Sequence, residues 1–103
     1  MARRNEVIAL INMAVSSDEI RNQIETPMER TVFARELAVF SSEFYRAAVV
    51  GLRAEKIFEV YTREYQGEDR LKHNSITYRI IRTSYGKTSE DTRLTCEKVV
   101  ADD

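Results

Sequence analysis

The chain has 103 residues, 43% of them hydrophobic and 32% charged, with a formal net charge of −1. This allows one domain around a single modest core, and near-neutral charge supplies no general attraction to nucleic acid or an anionic membrane. One proline, three glycines and no apolar run near the roughly 20 residues of a membrane span exclude a long flexible linker and a transmembrane helix.

Glu6–Ser16 (EVIALINMAVS) reads as a first strand, apolar on both faces in places, as a strand inside a closed barrel is. A helix competes there, because Val7, Leu10, Ile11 and Met13 also fit helical spacing. Ser16–Pro27 is a polar connection, either a hairpin loop or a longer arm. Met28–Val39 reads as the second strand, with Val32, Phe33, Leu37 and Val39 as its apolar positions.

Ser41–Arg53 (SSEFYRAAVVGLR) changes character. Ser41 or Ser42 suits a helix N-cap, and Glu43 falls in the first turn, where negative charge is favoured. Phe44, Ala47, Ala48 and Leu52 recur near helical spacing, and Gly51 suits the left-handed conformation at a helix end. The other face carries Glu43, Arg46 and Arg53.

The C-terminal half alternates strands and turns. Lys56–Tyr65 (KIFEVYTREY) ends at Gln66-Gly67-Glu68-Asp69. The short run Arg70–His73 meets the turn Asn74-Ser75, and Ile76–Tyr85 follows. Gly86–Asp91 then leads to Thr92–Val100. Val, Ile, Tyr and Thr fit a pleated surface, while Gly, Asn, Asp and Ser supply turns. A meander must not leave its edges bare, so the sequence predicts a mainly β fold, a small single-domain β-barrel with one inserted short helix. Val32, Phe33, Phe58, Val60, Tyr78, Ile80, Leu94 and Val99 are its expected core.

Few residues invite chemistry. Gly86-Lys87-Thr88 resembles the end of a phosphate-binding loop, but Ile81 stands where that motif needs glycine, and a strand follows. His73 is the only histidine and Cys96 the only cysteine, so neither a disulfide nor a standard zinc set forms. His73 is expected in an exposed turn and Cys96 as a buried thiol of the last strand. The lone thiol and the absence of a signal-peptide core after Met1–Arg4 fit a cytosolic chain. Glu59, Glu64, Glu68 and Asp69 are numerous enough for a carboxylate pair, yet their spread is that of a solvated face. Tyr61, Tyr65, Tyr78 and Tyr85, interleaved with Arg63, Arg79 and Arg82, suit an OB-like face that stacks single-stranded bases. The plainer alternative is a tyrosine-lined barrel wall, with the arginines paired to Glu59 and Glu64.

The order of segments resembles another class. Ser42, Glu43, Phe44, Tyr45, Ala47, Gly51 and Leu52 precede an extended Phe58-Glu59-Val60 run. Tyr65, Gly67 and Glu68 form a turn, followed by Asn74, Tyr78, Ile80, Arg82, Leu94, Cys96 and Glu97. Together these resemble the head–tail joining (head-closure, or stopper) proteins of tailed bacteriophages and prophages. Arg21 departs from the pattern, standing where the family tends to place a glycine in a hairpin turn.

The resemblance implies a β-barrel acting as a structural protein rather than an enzyme, without cofactor or metal. It would assemble as a ring beneath the portal and adaptor, meet a tail-completion protein, lie near packaged DNA and avoid membranes. Such a protein resides in the virion and, during assembly, in the host cytoplasm. Ser42, Glu43, Phe44, Tyr45, Arg46 and Arg53 would then form a channel-gating or adaptor-contact segment. The rival from another class is a small OB-like module that binds single-stranded nucleic acid.

Overall fold

The structure, a computed structural model, describes residues 5–17 and 23–99, with side chains described for residues 5–12 and 27–99. Six strands close into an antiparallel barrel: β1 (Glu6–Ser17), β2 (Gln23–Leu37), β3 (Lys56–Tyr61), β4 (Arg70–His73), β5 (Ile76–Tyr85) and β6 (Asp91–Lys98). One helix, α1 (Ser41–Val49), lies between β2 and β3 in sequence. Around the barrel the order is β1-β2-β3-β6-β5-β4. The meander expected of the C-terminal half therefore holds from β4 to β6, whereas β3 pairs with β6 and β2 rather than with β4.

Alternation sets the core. Ile8 and Leu10 from β1, Val32 and Ala34 from β2, Phe58 and Val60 from β3, Leu71, Tyr78, Leu94 and Cys96 form one buried cluster. Adjacent strand residues point to opposite faces, so Val32 and Phe33 cannot both be inside. Val32 points in, and Phe33 is 61% exposed, correcting the expectation that it joins the core. Ile80 is half-buried against the cluster. Val99 follows the last strand, half-buried, with its N–H on the Thr77 carbonyl.

Three boundaries differ most from the sequence reading. β2 starts at Gln23 and runs through Pro27, so much of the expected polar connection is strand, paired with β1 as far as Ser17↔Gln23. β2 meets β3 only at Arg35–Leu37, so Pro27 lies on a strand with one open side, the setting that tolerates a missing N–H. The departure at Arg21 lies outside the described residues. β3 stops at Tyr61, where a 3-10 turn at Thr62–Glu64 takes over. α1 ends at Val49, two residues before Gly51, whose φ of +80° turns the chain back.

The β1–β2 hairpin is much longer than the barrel needs. β1 touches β4 only from Ala9 to Ile11. Beyond those short seams the two strands pair only with each other, forming a ribbon that extends the molecule to 51 × 30 × 24 Å. Among the described residues, no third strand borders Asn12–Ser17 or the stretch from Gln23 to Ala34.

Candidate functional site

The segment from Phe40 to Arg53 is attached to the outside of the barrel rather than built into its wall. Glu43 holds Arg82 of β5 through both carboxylate oxygens, and the Arg53 N–H donates to Glu97 of β6 at 2.8 Å. The Glu55 N–H donates to the Cys96 carbonyl, and Ala54 is buried. Of α1 itself only Ala47 is buried. Polar straps at both ends, more than apolar packing, hold the helix in place. A shallow groove remains beside it, lined by Phe44, Leu52, Ile76, Arg79 and Lys98.

Local detail departs from the sequence reading in two respects. The residue preceding the helix is Phe40, and no side chain caps it, so neither Ser41 nor Ser42 serves as the N-cap. Glu43, assigned to the wet face, instead points back to the barrel, where its side chain is largely covered by the pairing with Arg82. Ser42, Phe44, Tyr45, Arg46 and Arg53 are exposed. Phe44 and Tyr45 meet edge to face at 5.8 Å. The outward surface is more apolar than expected: Tyr45 is 68% and Val49 84% exposed, with Phe40 and Val50 also open.

A second apolar surface lies on the ribbon. Val7 and Phe33 face each other across β1 and β2, both exposed on the barrel's outside. Sequence reasoning missed it by placing Phe33 in the core. The parity of the adjacent Val32 carried the signal.

The tyrosines do not form one base-stacking face. Tyr78 is in the core. Tyr65 donates its hydroxyl to the Glu68 carbonyl at 2.7 Å. Tyr85 is exposed, and the Arg63 guanidinium lies 4.5 Å from the Tyr61 ring centre. Arg79 and Arg82 are paired, but not to the partners expected. Arg79 pairs with Glu97 and Arg82 with Glu43, while Glu59 is held by Arg35 at 2.8 Å and Arg93 at 3.1 Å.

Glu59 and Glu68 are buried, which the reading of a solvated acidic face did not foresee. Burial pushes the Glu59 carboxyl up, but the Arg35 and Arg93 guanidiniums outweigh it and hold the group below the ordinary carboxylate range. Burial also raises Glu68. Arg30 at 2.7 Å and the Gln66 N–H at 2.8 Å reverse that effect and leave it lowered. These are structural ion pairs, Glu59 with Arg35 and Arg93 and Glu68 with Arg30. Cys96 is buried as expected, and burial pushes its thiol up to about 12.

His73 is not an exposed turn residue. It closes β4 with its side chain buried, its ring 4.9 Å from that of Phe58 and Nε2 2.8 Å from a Glu6 oxygen. The turn lies after it, where Asn74 and Ser75 take positive φ in a two-residue hairpin.

No family model matches the sequence, and no match is found among curated proteins. Among solved structures the chain is similar to protein SF1141 from Shigella flexneri 2a. That similarity has a TM-score of 0.70 and 15% sequence identity, covering 95% of each chain. At that identity it shows a shared small β-barrel fold. No helix among the described residues is long and apolar enough to cross a membrane.

Proposed function

We propose that this chain is a non-enzymatic assembly module of a phage or prophage neck, joining head to tail as one subunit of a ring beneath portal and adaptor. The β1–β2 ribbon carries the reading. A two-stranded ribbon is marginal in water by itself, and unpaired edges along Asn12–Ser17 and Gln23–Ala34 are suited to receiving another chain. The apolar surfaces at Val7/Phe33 and Tyr45/Val49 lie on different elements. Contacts between unlike surfaces are head-to-tail, the kind that closes a ring. The resemblance in segment order supplies the phage context. In that setting the strapped Phe40–Arg53 segment contacts the adaptor or lines the DNA channel.

The direct test uses the phage or prophage that encodes the chain. Purified protein is mixed with its portal–adaptor complex and imaged by electron microscopy. The reading expects an added ring of density, lost in a Tyr45→Ser, Val49→Ser double variant that still folds. No added density with correctly folded protein would refute it.

The OB-like alternative has one feature in its favour, the Arg63–Tyr61 stack near exposed Tyr85. Glu64, Glu90 and Asp91 share that end of the barrel and offset Arg63 and Lys87. Fluorescence anisotropy with oligo-dT at low and high salt separates the two readings. A nucleic-acid module binds and loses affinity steeply with salt.

A further inference from the structure

The start of β1, the end of β2 and the end of β4 meet at one rim of the barrel. Glu6 pairs in register with Ala34, so Glu36, two residues on, falls on the same side of the ribbon. Leu71 pairs with Leu10, and His73, two residues further along β4, turns its side chain to the same interior. Glu6, Glu36 and His73 thereby each bring one ligand atom into a group whose members all lie within 4.8 Å of one another.

We propose that this rim is a binding site for a divalent transition-metal ion, zinc being the first candidate, with Glu6, Glu36 and His73 as its protein ligands. One imidazole with two carboxylates suits zinc, cobalt or manganese and leaves room for water. Calcium and magnesium prefer oxygen donors alone. The imidazole is already oriented. Packing against Phe58 fixes the ring, and Nε2 faces the carboxylates instead of the core. Both glutamates sit partly open at the rim, free to close on an ion.

An independent observation shows that this rim attracts positive charge. The Lys56 ammonium lies 2.7 Å from Glu36, whose carboxylate stands within 4.8 Å of that of Glu6. Two carboxylates thus face one resident monovalent cation, which is itself partly exposed and free to swing into solvent. A divalent ion exchanges for it and adds the imidazole contact that Lys56 lacks. Such an ion would tie together β1, β2 and β4 across the seam where β1 and β4 share only Ala9–Ile11. The site does not depend on the assembly role proposed above.

The test is titration of the full-length protein with zinc chloride, followed by calorimetry, thermal melting and the 15N shift of the His73 ring. The expected result is saturable one-site binding, a raised Tm and a shift at His73 Nε2. Glu36→Gln and Glu6→Gln, both on the open rim, should fold normally and weaken binding at least about tenfold each. Lys56→Met should tighten it. No binding at millimolar zinc would overturn the proposal. So would binding that persists unchanged in the Glu6→Gln, Glu36→Gln double variant, or that leaves the His73 ring undisturbed.

Discussion

Glu43 on the helix grips Arg82 on β5 with both oxygens, at 3.0 and 2.9 Å, and so straps the first turn of α1 to the outer barrel wall. The opposite end is strapped by the Arg53 N–H on Glu97. With one buried residue between them, the helix depends on these polar contacts for its position. Its outer side is left apolar and open.

Glu43→Gln should therefore cost about 1–3 kcal/mol in urea unfolding, the range for hydrogen bonds to a charged group. Adding Arg82→Met should cost little more, because the two changes remove the same interaction. A double-mutant cycle measures the coupling. Additive costs would show that the strap contributes nothing as a pair.

The buried acids make the barrel acid-sensitive. Glu59 and Glu68 have folded-state pKa values below the ordinary 4.5. Their contribution is complete above the unfolded-state value and is lost as pH falls through the lower folded values. Urea midpoints should fall between about pH 5 and pH 3. Glu59→Gln should be destabilising at neutral pH, with a shallower acid limb.

Gly86 lies against Glu59. A Cβ there would stand 2.7 Å from a Glu59 oxygen and 3.0 Å from the Asp91 Cβ, and two arginines prevent the carboxylate from retreating. Gly86→Ala should cost about 1–3 kcal/mol by overpacking. Unchanged thermal melting would show that the turn moves aside.

Cys96 should be inert in the folded chain. A buried thiol at about 12 holds almost no thiolate near neutrality. Labelling with a thiol reagent should follow global unfolding, with full reaction in denaturant. Rapid labelling under native conditions would indicate local opening of β6.

Two phenylalanines should behave oppositely. Phe58 is completely buried, and Phe58→Ala should cost about 3–5 kcal/mol. Phe33 lies on the outside, and Phe33→Ser should stay within about 0.5 kcal/mol. Loss of assembly without loss of stability in Phe33→Ser would mark that surface as a contact.

These contrasts show where the sequence was legible. Clusters of β-branched and aromatic residues, broken by turn residues, located β3 to β6, and Asn74-Ser75 marked its hairpin. Burial was harder to read, because it depends on register and closure. Val32 and Phe33 look alike as neighbours until alternation separates them. His73 appears exposed beside a turn until β4 pairs with β1 and carries it against Phe58. Pro27 suggested a break, but a strand with one open side accommodates it. The partners of Glu59 come from two other strands, so no local spacing announces them. In the helix, Gly51 signalled the end correctly, whereas the capping serines were misleading because Phe40 occupies the N-cap position without a side-chain bond.

The proposed neck role meets its most direct test in deletion of this reading frame from the genome that carries it. After induction, particles are counted by electron microscopy and packaged DNA is assayed for nuclease protection. If the chain joins heads to tails, deletion yields separate heads and tails with unprotected DNA, and the purified protein restores joining. Tailed, DNA-filled particles in normal yield without the chain would contradict that role.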